Sequence, residues 1–266
     1  MVKCYAADYS YDYSFSAVAL AYFLRYPNPY SRHVASTDTI SRHFDPVTQR
    51  LTTVRLHLKR SRLPPAVLKL LPKSTIGEDA AAGPTQSFII ERSVVDVREG
   101  WMETESRNLD WNHVLSVIER HSYRRPDAVM EGKSRGDEET AQRRDEWIGT
   151  TDDNERTDVR VSVTLKSRIG EQLRKRRQRW GEQATASSVI GGEDASSSQA
   201  LPARSGWFTS WSSGAVRTAI ESISLQRTER SQPKAQQGMS VVLARLRQGG
   251  VQAVLEGMRR DREVEA

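Results

Sequence analysis

Five histidines, one cysteine and no recognisable nucleophile motif leave little material for catalysis in this chain. His33, His43, His57, His113 and His121 are scattered without metal-ligand spacing, and Cys4 has no neighbouring histidine to activate it. No G-x-S-x-G, G-x-x-x-x-G-K or H-E-x-x-H pattern occurs. The side chains with chemistry to offer are cations. Arg55, His57 and Lys59 alternate with Val54, Leu56 and Leu58, so a strand here has one basic and one apolar face. A guanidinium can grip a phosphate through two parallel hydrogen bonds, and an ammonium supplies a compact point charge. Side chains of these types are suited to holding an anion rather than to breaking a bond.

The 266 residues carry a net charge of +6, with a pI near 9.5, which points to an anionic partner without separating phospholipid from nucleic acid. Charge is unevenly spread. Arg168, Arg174, Lys175, Arg176, Arg177 and Arg179 form a basic cluster, and Asp137, Glu138, Glu139, Asp145, Glu146, Asp152, Asp153 and Glu155 make the preceding stretch acidic. A hydrophobic content of 37% and a mean hydropathy of −0.64 are low, which predicts an ordered domain with inserts that join no core. A single cysteine excludes an internal disulfide and a multi-cysteine zinc site. No apolar run approaches the ~20 residues that span a bilayer, so a soluble protein is expected. With only Lys3 before Asp8 and no apolar segment, neither a secretory signal nor an Arg-rich transit peptide is expected.

The elements that must position these cations follow from periodicity. Val2 to Tyr9 reads as a strand, and Ser14 to Phe23 as a helix stopped by Pro27 and Pro29. Strands are expected at Val34 to Ile40, Thr53 to Lys59, Phe88 to Val97, Trp101 to Leu109 and Val114 to Tyr123. Gly100 supplies the left-handed position of a hairpin between two of them. Val159, Val161, Val163 and Leu165 alternate with polar residues and make the seventh strand. After Val216 the period becomes helical: Ile220 and Ile223, then Met239, Val242, Leu243 and Leu246, then Val251, Val254, Leu255 and Met258. The pattern predicts an α+β fold, an antiparallel sheet wrapped by helices collected at its two ends.

Three ordered blocks carry a more specific signal. Residues 25 to 41 read Arg-Tyr-Pro-Asn-Pro-Tyr-Ser-Arg-His-Val-Ala-Ser-Thr-Asp-Thr-Ile-Ser; Glu91-Arg92-Ser93-Val94-Val95-Asp96 follows; Arg107-Asn108-Leu109-Asp110 then leads into Val114 to Tyr123. In this order they resemble the PRELI-like family of lipid transfer proteins. The likeness is nearly continuous from Met1 to about Arg124 and returns near Thr157 to Lys166 and Val216 to Leu246. It implies a curved seven-stranded antiparallel sheet enclosing a lipid cavity, with a short N-terminal and a long C-terminal helix. One domain over residues 1–260 is expected, interrupted by inserts at 73–86, 125–156 and 168–206.

The resemblance further implies a non-enzymatic carrier of phosphatidic acid that uses no cofactor. By residue matching, its headgroup site would be Arg25, His33, Lys59, Arg62, Arg227 and Lys234. The proline-bounded run from Leu63 to Pro72 resembles the family's lid, with Leu63, Val67, Leu68, Leu70 and Leu71 touching an anionic membrane. Residence in the mitochondrial intermembrane space, peripheral on the inner or outer membrane, and a small helical partner with twin Cys-x9-Cys motifs are also implied. On the residues alone, Arg25 reads equally as a cation capping the helix before Pro27. Arg55, His57 and Lys59 then read as a solvated strand face, and the leucine-rich run as a short amphipathic core helix. Trp207, Phe208 and Trp211 suit either a membrane interface or packing on the sheet.

Two departures stand out. Pro233 falls where relatives run an unbroken helix and is expected to kink or split it, and Ile223 replaces a tryptophan. Phosphatidylserine transfer is the alternative within the family. Outside it, the cluster from Arg168 to Arg179 suggests a nucleic-acid module, which the adjoining acidic block and the lack of a recognition motif disfavour.

Overall fold

The computed structural model describes residues 2–61, 85–112, 114–126, 156–168 and 213–263. Arg62, His113, the lid residues Leu63, Val67, Leu68, Leu70 and Leu71, the basic cluster from Arg174 and the aromatic group at 207–211 lie outside the described residues. So do nearly all of the three expected inserts. The exceptions are informative at one end, because a strand begins at Thr85, inside the stretch expected to be an insert.

Seven strands form one antiparallel sheet: β1 (Val2–Tyr11), β2 (Val34–Asp45), β3 (Arg50–Ser61), β4 (Thr85–Asp96), β5 (Trp101–Asn108), β6 (Leu115–Arg124) and β7 (Thr157–Ser167). Their order is β1-β7-β6-β5-β4-β3-β2. The chain meanders from β2 to β7, and β1 closes beside the last strand, leaving β2 at the far edge. The helix α1 (Phe15–Phe23) follows β1, and α2 (Ser213–Glu263) ends the described chain. All seven strands and both terminal helical regions match the periodicity reading, with most strands two or more residues longer.

Local chemistry explains the joints. Ser14 caps α1, its Oγ accepting from Ala17 N–H at 3.2 Å. Between β4 and β5, Asp96 accepts from the Glu99 and Gly100 N–H groups, and Gly100 takes the left-handed φ of +70° expected of it. β7 is the strand most completely buried on one face: Val159, Val161, Val163 and Leu165 are each 2% exposed or less. They pack with Val18, Ala21 and Tyr22 of α1 and with Met239, Val242 and Leu243 of α2. The core therefore sits under the helices at the β1-β7-β6 side of the sheet. Ser167 N–H donates to Glu221 Oε1 at 3.1 Å and ties the start of α2 to the end of β7.

The C-terminal helix differs from expectation in where it breaks. Pro233 is exposed and the dihedrals around it stay helical, so the lost backbone donor costs one hydrogen bond without splitting the helix. The break falls at Gly249 and Gly250, whose φ/ψ of −158°/27° and 63°/−154° leave the helical region. The segment beyond turns back: Arg245 pairs with Asp261 at 2.7 Å, and a Cβ on Gly257 would lie 2.5 Å from the Arg245 guanidinium. Val254 is fully buried in this helical hairpin, whereas Val251 and Leu255 remain exposed.

One glycine seats α2 against the signature loop. A Cβ on Gly238 would lie 2.7 Å from Asn28 Oδ1 and 3.0 Å from its Nδ2. Asn28 cannot retreat easily, because it is 3% exposed, donates to Arg25 O at 2.6 Å and accepts from Tyr30 N–H at 2.9 Å. Gly238→Ala is therefore expected to destabilise the fold by about 1–3 kcal/mol, the usual cost of forced overpacking. Thermal unfolding of the variant measures this directly.

Candidate headgroup site

Register places the site. On the inward face, β3 contributes Thr53, Arg55, His57 and Lys59; Arg55 pairs with Glu91 of β4, Glu91 with Ser106 of β5, and Ser106 with Glu119 of β6. The next inward row is Thr53, Ser93, Thr104 and His121. A polar band thus crosses the concave side of the sheet. The basic face of β3 is the buried one: Arg55 and His57 are 3% and 2% exposed, while Val54, Leu56 and Leu58 point to the other side and are only half-buried. This overturns the reading of Arg55, His57 and Lys59 as a solvated face.

Glu91 is the hub. Its Oε1 accepts from Arg55 Nε at 2.9 Å and also from Arg55 Nη2; its Oε2 accepts from Arg25 Nη2. Arg55 Nη1 donates further to Phe23 O at 3.2 Å, and Arg25 Nη1 to Tyr22 O at 3.0 Å. Arg25 thus caps the last turn of α1, as one reading held, and pairs with the sheet as well. Its guanidinium lies 3.7 Å from the Tyr22 ring centre and 4.7 Å from that of Tyr26, a cation–π clamp on two sides. Burial opposes ionisation of Glu91, yet Arg25, the nearby His57 and Arg55 hold its carboxyl well below the ordinary carboxylate range. His57 Nε2 stands 3.3 Å from Glu91 Oε2 without hydrogen-bond alignment, and its Nδ1 meets Thr37 Oγ1 at 2.9 Å. Desolvation lowers its pKa, outweighing Glu91, so His57 is neutral near pH 7.

A void opens beside this hub, lined by Arg25, Tyr26, His57, Lys59, Glu91, Glu119 and His121 together with tyrosines of β1 and β6 and Ala235 and Met239 of α2. It measures about 70 Å³. That is a few water molecules' worth, well under the roughly 300 to 1,000 Å³ of an ordinary ligand pocket. Among the described residues, the void is the polar end of the expected cavity.

Lys59 is the lining cation that differs from the others. Among the described residues it makes no hydrogen bond and no ion pair within 4 Å, while its charge lowers the pKa of both Tyr26 and Glu119. Glu119 Oε1 accepts from His121 Nε2 at 2.8 Å and from Gln232 Nε2 at 2.9 Å. Against the opposing effect of burial, these bonds and the charges of His121 and Lys59 pull its pKa down to about 2. His121 Nδ1 in turn meets Tyr123 Oη at 3.0 Å.

Of the expected site residues, Arg25 and Lys59 line the void. His33 is exposed and is not among the lining residues; its carbonyl accepts from Arg60 N–H at 2.7 Å, which ties it to β3. Desolvation, then the charges of Lys59 and Arg227, push its pKa down. Arg227 and Lys234 are exposed on α2 and neither lines the void, so the expected pair of inward-facing helix cations is not observed. Glu91, Arg55, Glu119, His121 and Gln232 were not expected. For Glu119 and His121 the signal was present: they share the strand parity of Val117 and Tyr123, both of which pack toward the core.

With this geometry in hand, comparison with known proteins is specific. The PRELI-like family model matches residues 16–131. Over this stretch the chain is similar to the PRELI-like family. Protein UPS1, mitochondrial, of Saccharomyces cerevisiae is 39% identical over 123 residues, which cover 46% of this chain and 64% of that protein. The Protein ups1 homolog of Schizosaccharomyces pombe is 40% identical over 106 residues, covering 40% and 55%. The human PRELI domain-containing protein 1, mitochondrial, is 31% identical over 123 residues, covering 46% and 52%. The chain spans about half to just under two thirds of the length of these relatives. The PRELI-like stretch contains every charged group of the void, Arg25, Lys59, Glu91 and Glu119 included, whereas Gln232 and Met239 of α2 lie beyond it.

Proposed function

We propose that the protein is a non-enzymatic carrier of an acidic glycerophospholipid, phosphatidic acid, between mitochondrial membranes, working through a single domain over residues 1–260. The observation that carries this reading is Lys59: a cation lining a buried void with no carboxylate bound to it, beside an Arg25 guanidinium already fixed by Glu91. A phosphate entering the void would meet Lys59 directly, with Arg25 behind it; His33 and Arg227 are proposed as further headgroup cations. Desolvating a phosphate costs several kcal/mol or more unless such a partner waits for it.

No bond is made or broken in this scheme. Space for acyl chains comes from movement of α2, whose Ala235 and Met239 close the void. The mitochondrial names of the relatives support residence there, and the family resemblance supports the intermembrane space and a small twin Cys-x9-Cys partner. No helix among the described residues is long and apolar enough to cross a membrane, which suits a peripheral carrier. Arg62 and the run from Leu63 to Leu71 complete the proposal as rim cation and membrane-touching lid.

Vesicle-to-vesicle transfer tests it. With labelled phosphatidic acid, phosphatidylserine and phosphatidylcholine in donor vesicles, phosphatidic acid is expected to move at least about tenfold faster than phosphatidylcholine, a difference of about 1.4 kcal/mol. Equal rates for all three would contradict an anion-binding pole. Faster phosphatidylserine would replace the cargo.

A further inference from the structure

The middle of α2 is held over the void differently from its two ends. At its start Ile220 and Glu221 are buried, and Glu221 Oε1 accepts from Ser167 N–H at 3.1 Å. Further on, Gly238 seats against Asn28, and Met239, Val242 and Leu243 enter the core. Of residues 222–237, which lie between them, only Gln232 is buried. Its Nε2 donates to Glu119 Oε1 at 2.9 Å. Gln232, Ala235, Gln236 and Met239 stand at i, i+3, i+4 and i+7, so they share the helix face that meets the sheet. Gln236 faces the Tyr9 hydroxyl of β1, and Ala235 lines the void while being exposed itself, which puts the edge of the void at this turn. Pro233 removes the helix hydrogen bond to Glu229 O in the same stretch.

We propose that residues 222–237 of α2 are the portal through which lipid enters and leaves the void, and that Gln232 is the positioning residue that holds it shut by bonding Glu119. This rests on the carrier reading and names the path of its cargo. Two glutamines and an alanine cover the void at a place where leucines would seal it. Apolar side chains hold a helix in proportion to the area they bury, whereas a hydrogen bond is directional and is lost once its partners part. A stretch with one buried side chain therefore opens readily while both packed ends stay in place. Gln232 does not line the void, so it acts on the helix and not on the headgroup.

Hydrogen exchange of the full chain without lipid tests the portal, and release of bound lipid tests its latch. In the wild type, amides of 222–237 are expected to exchange at least about tenfold faster than those of 239–246. Gln232→Ala, shown to be folded by its thermal melt, is expected to raise exchange in 222–237 and to leave 239–246 unchanged. Loaded with labelled phosphatidic acid and mixed with acceptor vesicles, it should release the lipid about tenfold faster than the wild type, the effect of losing one hydrogen bond to a charged group. Equal protection along α2 in the wild type overturns the proposal without any variant. So does a folded Gln232→Ala in which either the exchange of 222–237 or the release rate matches the wild type. Both results leave the carrier intact. A wild type that takes up no phosphatidic acid overturns the carrier reading itself.

Discussion

Glu91→Ala is expected to destabilise the protein by about 3–5 kcal/mol, the usual cost of removing one partner from a buried ion pair. The loss is large because two guanidiniums depend on one carboxylate. The Glu91 and Arg55 side chains are 3% and 4% exposed, so the freed Arg55 does not reach water without moving β3, while Arg25 is 16% exposed. For a folded unit of this size that predicts a fall in Tm of about 6–20 °C, at roughly 2–4 °C per kcal/mol. The pH dependence has a definite sign. Glu91 is held below its unfolded pKa, near 4.3, so its contribution is fully present above that value. It erodes as pH falls from there towards the depressed folded pKa. The wild type should therefore lose stability steeply below about pH 4, and Glu91→Gln, already weakened at pH 7, should lose less over the same interval. Urea unfolding at pH 3, 4, 5 and 7 measures both. Parallel curves for the two proteins would show that Glu91 is not the hub.

The second large effect concerns cargo. A charge-assisted hydrogen bond contributes about 1.5–3 kcal/mol, so Lys59→Gln is expected to slow phosphatidic acid transfer by about tenfold to a hundredfold. Lys59→Glu should slow it further, because it puts a third carboxylate beside Glu91 and Glu119. Stability should respond differently from Glu91→Ala: Lys59 has no bound carboxylate to orphan, so Lys59→Gln should melt close to the wild type. This separation of transfer from stability distinguishes a cation that meets cargo from one that holds the fold. Arg230→Gln, on an exposed part of α2 away from the void, serves as the neutral-surface control.

Much of the fold was legible because it rests on period alone. Val159 to Leu165 alternate cleanly and form the most buried strand, and Gly100 marks its hairpin by the conformation only glycine adopts cheaply. What period cannot tell is which face turns inward. On β3 alternation gives one basic and one apolar face, and Arg55 and His57 are the buried pair, because Glu91 and the Phe23 carbonyl answer the charge of Arg55 and Thr37 bonds His57. Those partners sit on another strand and a helix end, and only register brings them together. Glu91 was visible within the Glu91 to Asp96 block as a likeness, without a role, for the same reason. Glu119 needed β6, β3 and α2 in place at once. Arg227 and Lys234 were placed by residue matching; standing seven apart, they share a helix face, but this does not fix whether that face meets the void. Pro233 drew attention as the helix breaker; the actual break lies at Gly249 and Gly250, where a turn-back is stabilised by the Arg245 pairing with Asp261.

The central claim is that a lipid phosphate sits against Lys59 inside the sheet. Native mass spectrometry of the protein incubated with phosphatidic acid vesicles and then separated from them tests this most directly. The account predicts one phosphatidic acid per wild-type chain, and a folded Lys59→Gln protein that leaves the vesicles empty. A Lys59→Gln protein carrying the same lipid at the same occupancy would contradict it.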